Sequence, residues 1–220
     1  MENQAKNIYR ILPSKLRSSV LNSVTPLSHF FSRLRVNPNL ITFFALLMGI
    51  ASGVLFATEH PLWATLAIIL CGLLDILDGK VATQSNRRSL FGAIFDSTLD
   101  RYSEFAIYLG LAIHFRHHWA LWIIFFTFLG STMVSYTRAR SEGLDIECQV
   151  GFMQRAERLV ILTLASLIGV IFHLFDLIMV IALIIIALFS NITAWQRLLF
   201  VYQVEKQKKR KSSILNDQIN

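Results

Sequence analysis

The sequence contains few charged residues and almost no cysteine. Charged side chains make up 16% of its 220 residues, whereas an average soluble domain has about a quarter. The two cysteines, Cys71 and Cys148, are far apart and match neither a metal-binding spacing nor a disulfide framework. No aromatic-basic module of the RNA-binding type is present. Because the apolar residues, 54% of the chain, are also clustered, the composition excludes an ordinary soluble domain and indicates a lipid bilayer.

The N-terminus also lacks the apolar core of a cleaved signal peptide, because residues 1–10 are mostly polar. We therefore expect the first spanning helix to serve as an uncleaved insertion signal. In residues 11–36, apolar side chains recur between basic ones. This pattern predicts one or two amphipathic helices in the membrane interface, broken near Pro26, with a disordered basic arm as the alternative.

Six apolar runs follow, and each approaches the roughly 20 residues that a helix needs to cross a bilayer. They are Ile41–Ala57, Leu62–Leu77, Leu90–Phe115, Ala120–Arg140, Ala156–His173 and Phe175–Tyr202. No internal repeat or low-complexity linker divides them. We therefore predict an all-α integral membrane protein with one six-helix transmembrane domain over 37–203. The interfacial segment 1–36 precedes it, and a basic cytoplasmic tail, 204–220, follows.

Basic residues are confined to alternate connections between these runs, and the chain has a net charge of +7. One set of connections contains Arg10, Lys15, Arg17, Arg33, Arg35, Lys80, Arg87, Arg88, Arg138, Arg140, Arg155, Arg158 and the run Lys206–Lys211. The opposite set contains only Arg116 besides histidines. Because cytoplasmic loops carry the excess of Lys and Arg, both termini are predicted to be cytoplasmic. The basic charge also suits contact with anionic lipid.

Four aspartates lie within or at the ends of two consecutive apolar segments. The residues that would share one face of the second span are Asp75, Asp78, Gly79 and Ala82, at i, i+3, i+4 and i+7. The residues that would share one face of the third span are Gly92, Asp96 and Asp100, at i, i+4 and i+8. Because a short loop joins the two spans, we expect the two faces to meet near the cytoplasmic edge.

Carboxylates brought together in this way repel one another unless cations neutralise them. Carboxylate-only ligation selects hard ions such as Mg²⁺, Mn²⁺ or Ca²⁺, and two such ions can clamp a pyrophosphate. One alternative is a set of helix-end acids paired with Lys80, Arg87, Arg88 and Arg101. A transporter is a second alternative, but the acids lie at one end of the spans and no inverted repeat is visible. A third, a lipid-binding membrane adaptor, leaves the aspartates unexplained.

The acidic segment resembles the signature of the CDP-alcohol phosphotransferase family, D-x2-D-G-x2-A-R-x8-G-x3-D-x3-D. Every position from Asp75 to Asp100 matches except Thr83, which stands where the family has Arg. The resemblance implies a homodimeric six-span enzyme in which an acceptor hydroxyl displaces CMP from a CDP-linked lipid. It implies two Mg²⁺ or Mn²⁺ ions held by the aspartates. Asp96 and Asp100 would act in catalysis, with Asp100 as the base that takes the hydroxyl proton.

The same resemblance assigns residues to the CDP-linked donor. A Pro-Asn-x-x-Thr element precedes the first span, as Pro38 to Thr42. The residues implied to lie against the donor are Asn39, Thr42, Asp75, Gly79 and Ala82. Because threonine cannot supply the charge of the family arginine, Arg87 or Arg88 in the following loop is a candidate to replace it. An altered donor or a weak enzyme is the alternative interpretation of Thr83.

A second cluster of residues, at the ends of spans four, five and six, is basic. Arg138, Arg155 and Arg197 are predicted on the aspartate side, and converging guanidinium groups suit a phosphate. For Arg140 and Arg158 we favour interface anchoring with a salt bridge to Glu157.

The run SYTRARSEG…GFMQRAERLVIL is similar to the prokaryotic members of the family that make phosphatidylinositol phosphate. The similarity implies a location in a prokaryotic plasma membrane. That similarity implies that Ser135, Arg138, Arg155 and Arg197 hold the phosphate of the acceptor. It favours 1D-myo-inositol 3-phosphate as the acceptor, with glycerol 3-phosphate as the alternative.

Overall fold

The computed structural model describes residues 14–148 and 150–219, with side chains for 21–148 and 150–210. Its seven helices are α1 Ser14–Arg33, α2 Pro38–Ala57, α3 Pro61–Gln84, α4 Leu90–His114, α5 Ala120–Glu142, α6 Arg155–Ile171 and α7 Phe175–Ile219. No strand occurs in these described ranges, so the predicted all-α class is confirmed. Predictions on residues 1–13, including Arg10, lie outside the described residues, as do those on the side chains of Lys15, Arg17 and Lys211.

Local sequence signals explain where several helices begin. Proline occupies the first position of α2 and of α3, where its fixed φ suits a helix and its missing N–H is not needed. Asn37 caps α2 by accepting the backbone N–H of Asn39 at 3.1 Å. Ser89 caps α4 in the same way, accepting the N–H of Gly92 at 2.9 Å. These caps fix the helix ends that carry the predicted site residues.

Four of the helices in the described part are long and apolar enough to cross a membrane: α2, α3, α5 and α7 up to Arg210. The other two predicted spans, α4 and α6, do not meet this criterion. Helix α6 has 17 residues. Helix α4 carries four charged residues within it: Asp96, Asp100, Arg101 and Glu104.

Three helices are longer or more continuous than the apolar pattern indicates. Helix α1 continues through Pro26 where a break was predicted. The Lys80 ammonium, from α3, donates to the Leu21 carbonyl and the Thr25 hydroxyl, which supports the turn before the proline. Helix α3 extends beyond Leu77 to Gln84, and α7 includes the whole run Lys206–Lys211.

The helices of the bundle form two halves, which face each other. In the first half, α2 packs against both α3 and α4. Helices α2 and α4 touch through their backbones: a Cβ on Gly53 would collide with the Ala106 carbonyl, and one on Gly110 with the backbone of Gly53. In the second half, α7 packs against α5 and α6. The first half therefore carries the aspartates, and the second carries the arginines.

Candidate active site

A cavity of about 860 Å³ lies where the two halves meet, lined mainly by α3, α4, α5 and α6. Its acidic lining includes Asp75 from α3, Asp96 and Asp100 from α4, and Glu142 from α5. Its basic and hydroxyl lining includes Ser135 and Arg138 from α5, Arg155 from α6 and Arg197 from α7. The structure therefore brings three of the four predicted aspartates and the predicted basic cluster to one cavity.

Three of the four predicted metal-binding aspartates form a compact group. Asp75, Asp96 and Asp100 each offer a carboxylate oxygen, and these oxygens lie within 4.8 Å of one another. Asp96 Oδ1 is buried and has no hydrogen-bond partner among the described residues. A buried carboxylate oxygen without a partner is costly, so its environment suits a bound cation.

Asp78 lies outside that group and faces α2. Its Oδ2 accepts a hydrogen bond of 2.6 Å from the Thr42 hydroxyl, and both residues are buried. The hydroxyl also lies 3.2 Å from the Pro38 carbonyl at the start of α2. This contact was not predicted, although it joins two residues that the sequence pattern had singled out separately.

Arg155 crosses from the basic half of the cavity to the acidic half. Its Nη1 lies 2.9 Å from Asp75 Oδ1 and 2.9 Å from Asp100 Oδ1. Its Nη2 lies 3.3 Å from the Ser103 hydroxyl, and its Nε is buried without a partner in the described part of the chain. One guanidinium therefore pairs with two carboxylates, balances part of their charge and keeps a donor available.

The donor set of the acidic group suits a hard divalent cation. All its ligands are carboxylate oxygens, which Mg²⁺ and Mn²⁺ prefer and which softer ions do not require. A Cβ built on Gly79, the residue after Asp78, would meet no atom within 4 Å, so open space adjoins α3 at this position. The residues present therefore fit the predicted metal site, with Asp75, Asp96 and Asp100 as its core.

Apart from Asp75, the residues predicted to contact the donor lie outside the cavity lining, near the adjoining ends of α2, α3 and α4. A Cβ built on Gly92 would lie 3.3 Å from Asn39 Oδ1, so the start of α4 lies against the start of α2. Gly79 is exposed and Ala82 is half-buried. Arg87 Nη1 donates to the Arg35 carbonyl at 2.9 Å.

Arg88 contacts the residue that departs from the family signature. Its Nη2 and Nε donate to the Thr83 hydroxyl at 2.7 and 3.1 Å. The hydroxyl in turn donates to the Gly79 carbonyl at 2.8 Å. A guanidinium is therefore held beside Thr83 although the arginine of the signature is absent.

The predicted acceptor residues share the cavity but differ in their contacts. Arg138 is exposed and pairs with Glu142 at 2.8 Å, and Ser135 is half-buried. Arg197 is buried, and its Nε donates to the Val150 carbonyl at 2.9 Å while its Nη1 donates to a carbonyl of α5. Arg155 is thus the arginine of the three that reaches the aspartates.

The predicted salt bridge between Arg158 and Glu157 is wrong. Arg158 pairs instead with Glu104, with Nε–Oε1 at 2.6 Å and Nη2–Oε2 at 2.8 Å. Consecutive residues of a helix point about 100° apart, so neighbours in sequence do not face each other. Glu104 could have been found, because it continues the spacing of Asp96 and Asp100 along α4 and is an acid in an apolar helix.

Comparisons with known proteins agree with this geometry. Residues 35–202 match the family described as CDP-alcohol phosphatidyltransferase. The archaetidylinositol phosphate synthase of Methanothermobacter thermautotrophicus is 33% identical over 193 residues, which is 86% of this chain and 97% of that protein.

Solved structures show the same fold. The phosphatidylinositol phosphate synthase of Mycobacterium tuberculosis with CDP-DAG bound has a TM-score of 0.74 at 26% identity, covering 81% of this chain and 93% of that one. The same enzyme in complex with manganese and citrate has a TM-score of 0.75 at 26% identity, covering 81% and 88%. With most of its length matched to the family and four helices able to span a bilayer, the chain is an integral membrane enzyme of the CDP-alcohol phosphatidyltransferase family.

Proposed function

We propose that this chain transfers a phosphatidyl-type group from CDP-diacylglycerol, or a related CDP-linked lipid, to a hydroxyl of inositol phosphate and releases CMP. The observation that carries the proposal is the single cavity that holds both the carboxylate group and the arginines. The relatives named above are synthases of archaetidylinositol phosphate and phosphatidylinositol phosphate, and one of them was solved with CDP-DAG bound. An enzyme that joins a CDP-lipid to a phosphorylated polyol needs both kinds of site side by side.

The acidic half would hold the CDP-linked donor. Asp75, Asp78, Asp96 and Asp100 would hold Mg²⁺ or Mn²⁺, which neutralises the pyrophosphate and the phosphate of the departing CMP. The relative solved with manganese supports this choice of metal. Asn39, Thr42, Gly79 and Ala82 would lie against the nucleotide, and Arg88, held at Thr83, would supply a positive charge there.

The chemical step exchanges one P–O bond for another. The acceptor oxygen bonds to the lipid-linked phosphorus, and the bond from that phosphorus to the bridging oxygen breaks, so that CMP leaves with the bridging oxygen. Asp100 would take the proton of the acceptor hydroxyl, since its carboxylate borders the cavity between the two halves. Asp96 would act beside it as part of the same acidic group.

The basic half would hold the acceptor through its phosphate. An uncharged alcohol needs no arginine cluster, whereas a phosphate matches several guanidinium groups. Arg155 supports this most directly, because the guanidinium that contacts Asp100 at 2.9 Å would place a phosphorylated polyol with its hydroxyls near that base. Ser135, Arg138 and Arg197 would complete the phosphate site.

The membrane arrangement that fits this function has six spans, α2 to α7, over 37–203. Helix α4, with 25 residues, is about 37 Å long, and α6, with 17, is about 25 Å, close to the ~30 Å hydrocarbon core. Apolar side chains of α1, such as Leu27 and Phe30, are exposed while Val24 is buried, which supports an interfacial helix. The termini, the segments 1–36 and 204–220 and the site would be cytoplasmic, in a prokaryotic plasma membrane.

Family resemblance also leads us to expect a homodimer. Light scattering of the purified protein in detergent tests this expectation, and a monomeric mass would contradict it.

Release of CMP from a CDP-lipid tests the proposed reaction. Purified protein is mixed with CDP-diacylglycerol, Mg²⁺ or Mn²⁺, and one of inositol 3-phosphate, glycerol 3-phosphate, inositol or serine. We expect release with inositol 3-phosphate and its loss when a chelator removes the metal. Release only with glycerol 3-phosphate would overturn the acceptor, and no release with any acceptor would overturn the reaction.

A further inference from the structure

We propose that the buried ion pair between Glu104 of α4 and Arg158 of α6 positions Arg155 for the acceptor phosphate. The inference rests on the proposed function, because it takes Arg155 as a phosphate ligand. Neither member of the pair is assigned a role in the reaction above. Both are positioning residues in this proposal: Arg158 reaches the cavity lining, but its guanidinium nitrogens are engaged by Glu104 and the Met153 carbonyl.

The pair forms a rigid connection between two helices. Both oxygens of Glu104 accept from the guanidinium of Arg158, at 2.6 and 2.8 Å, so the two planar groups meet as a fork. Their side chains are 6% and 1% exposed. A third contact, from the Tyr108 hydroxyl to Glu104 Oε1 at 3.4 Å, holds the carboxylate from its own helix. A bidentate pair fixes the orientation as well as the distance of the two helices.

The pair lies one helical turn further along α4 and α6 than the pair of Asp100 and Arg155. We call Glu104 and Arg158 the lower pair, and Asp100 and Arg155 the upper pair. Glu104 follows Asp100 by four residues on α4, and Arg158 follows Arg155 by three on α6, so both pairs join the same two helix faces. Between them, Ser103 contacts Arg155 at 3.3 Å. Any shift of α6 relative to α4 at the lower pair therefore moves the guanidinium of Arg155 relative to Asp100.

Arg155 itself sits at a helix end that has no cap of its own. It is the first residue of α6, and the preceding Gln154 makes no side-chain capping hydrogen bond. Instead, Arg158 Nη1 donates to the Met153 carbonyl at 3.4 Å, and the Met153 N–H donates to the Thr193 hydroxyl at 3.1 Å. The guanidinium that Glu104 orients thus also holds the chain just before Arg155.

Helix α4 supplies a fixed reference for this arrangement. It packs against α2 with the backbones in contact at Gly53 and Gly110. Among the described residues, α6 does not pack closely against α4. The two acid–arginine pairs therefore join these two helices. Because a buried ion pair adds little net stability compared with a well-packed apolar pair, its contribution here is to geometry.

The test replaces the pair by apolar side chains of similar length and measures substrate use in the full-length enzyme. In Glu104→Met/Arg158→Met, we expect a folded protein whose KM for inositol 3-phosphate rises about 10-fold or more, while the KM for CDP-diacylglycerol changes less than about 2-fold. The matched control is Thr65→Val/Ser166→Ala, which removes a buried polar contact between α3 and α6 at the other end of α6. The control should leave the acceptor KM unchanged.

A second variant, Arg158→Lys, tests the inference if the double variant does not fold. Arg158→Lys keeps the charge but loses the fork, and we expect it to raise the acceptor KM with the donor KM unchanged. A folded variant of either kind with the wild-type acceptor KM overturns the inference, as does an equal rise in both KM values. If wild-type protein uses glycerol 3-phosphate instead, the same comparison is made with that acceptor. Wild-type protein that releases no CMP overturns the proposed function instead, which distinguishes the two failures.

Discussion

Helices α4 and α6 carry two acid–arginine pairs one turn apart, and the two pairs differ in their surroundings. Asp100 and Arg155 border the cavity, with side chains 14% and 17% exposed. Glu104 and Arg158 are 6% and 1% exposed and form a two-bond fork. In the upper pair, by contrast, Nη1 of Arg155 is shared between two carboxylates.

The difference indicates two roles for the same chemical pairing. A guanidinium shared among several acceptors, with one N–H unpartnered in the described structure, can exchange a carboxylate for a phosphate oxygen at little cost. A fully buried fork has no such freedom, because separating it leaves an uncompensated charge away from water. The upper pair is therefore suited to bind and react, and the lower pair to hold the helices in register.

The largest expected effect on turnover comes from the upper pair. Asp100→Asn keeps an oxygen for Arg155 but removes the base, so we expect CMP release to fall about 10²–10⁴-fold. Binding of CDP-diacylglycerol should be partly retained, and thermal stability should change little. Rates are measured by CMP release, and donor binding by calorimetry in detergent. Unchanged turnover would remove Asp100 from its role as base.

Removing one member of the lower pair should act on stability instead. Arg158→Met leaves the Glu104 carboxylate buried without its partner, which destabilises a protein by about 3–5 kcal/mol. Glu104→Met/Arg158→Met should recover much of that loss, because no lone charge remains. Thermal unfolding of the single and double variants in the same detergent measures this. A single variant as stable as the wild type would show that the lower pair is not a fixed connection.

Arg155→Ala tests whether the upper arginine serves the acceptor. Losing a charge-assisted hydrogen bond costs about 1.5–3 kcal/mol, so the KM for inositol 3-phosphate should rise about 10–100-fold. The KM for the CDP-lipid should change much less, since the donor is expected against α2 and α3. Steady-state kinetics with each substrate varied in turn separates the two values. An equal rise in both would argue against a separate acceptor phosphate site.

Much of the fold could be read from the chain because the apolar runs are separated by prolines and charged connections. Helix α2 begins at Pro38, and α4 begins and ends within one residue of the predicted run. The end of α7 could not be predicted in this way. Beyond Tyr202 the sequence has no Gly or Pro, and its Lys, Glu and Gln residues favour a helix as readily as a solvated tail.

The candidate site, like the fold, could be predicted from the sequence only in part. Helical spacing brings Asp96 and Asp100 onto one face, and the structure places both at the cavity. Contacts between distant segments have no local signal: Asp75 and Arg155 are 80 residues apart, and Glu104 and Arg158 are 54 apart. Which acid each arginine meets depends on how the helices pack, and for Arg158 the neighbour in sequence was the wrong choice.

The smallest expected effect lies away from both pairs, at the departure from the family signature. Arg88 is exposed, so its contribution to donor binding through the contact with Thr83 is of the order of a surface ion pair. We therefore expect Arg88→Ala to raise the KM for CDP-diacylglycerol about 2–5-fold, without changing the acceptor KM. Restoring the signature with Thr83→Arg in the Arg88→Ala protein should lower the donor KM again, because the charge returns to the same turn of α3. Arg33→Ala, an exposed cation at the end of α1 with no assigned role, is the matched control. An Arg88→Ala protein with the wild-type donor KM would show that the guanidinium beside Thr83 does not replace the missing arginine.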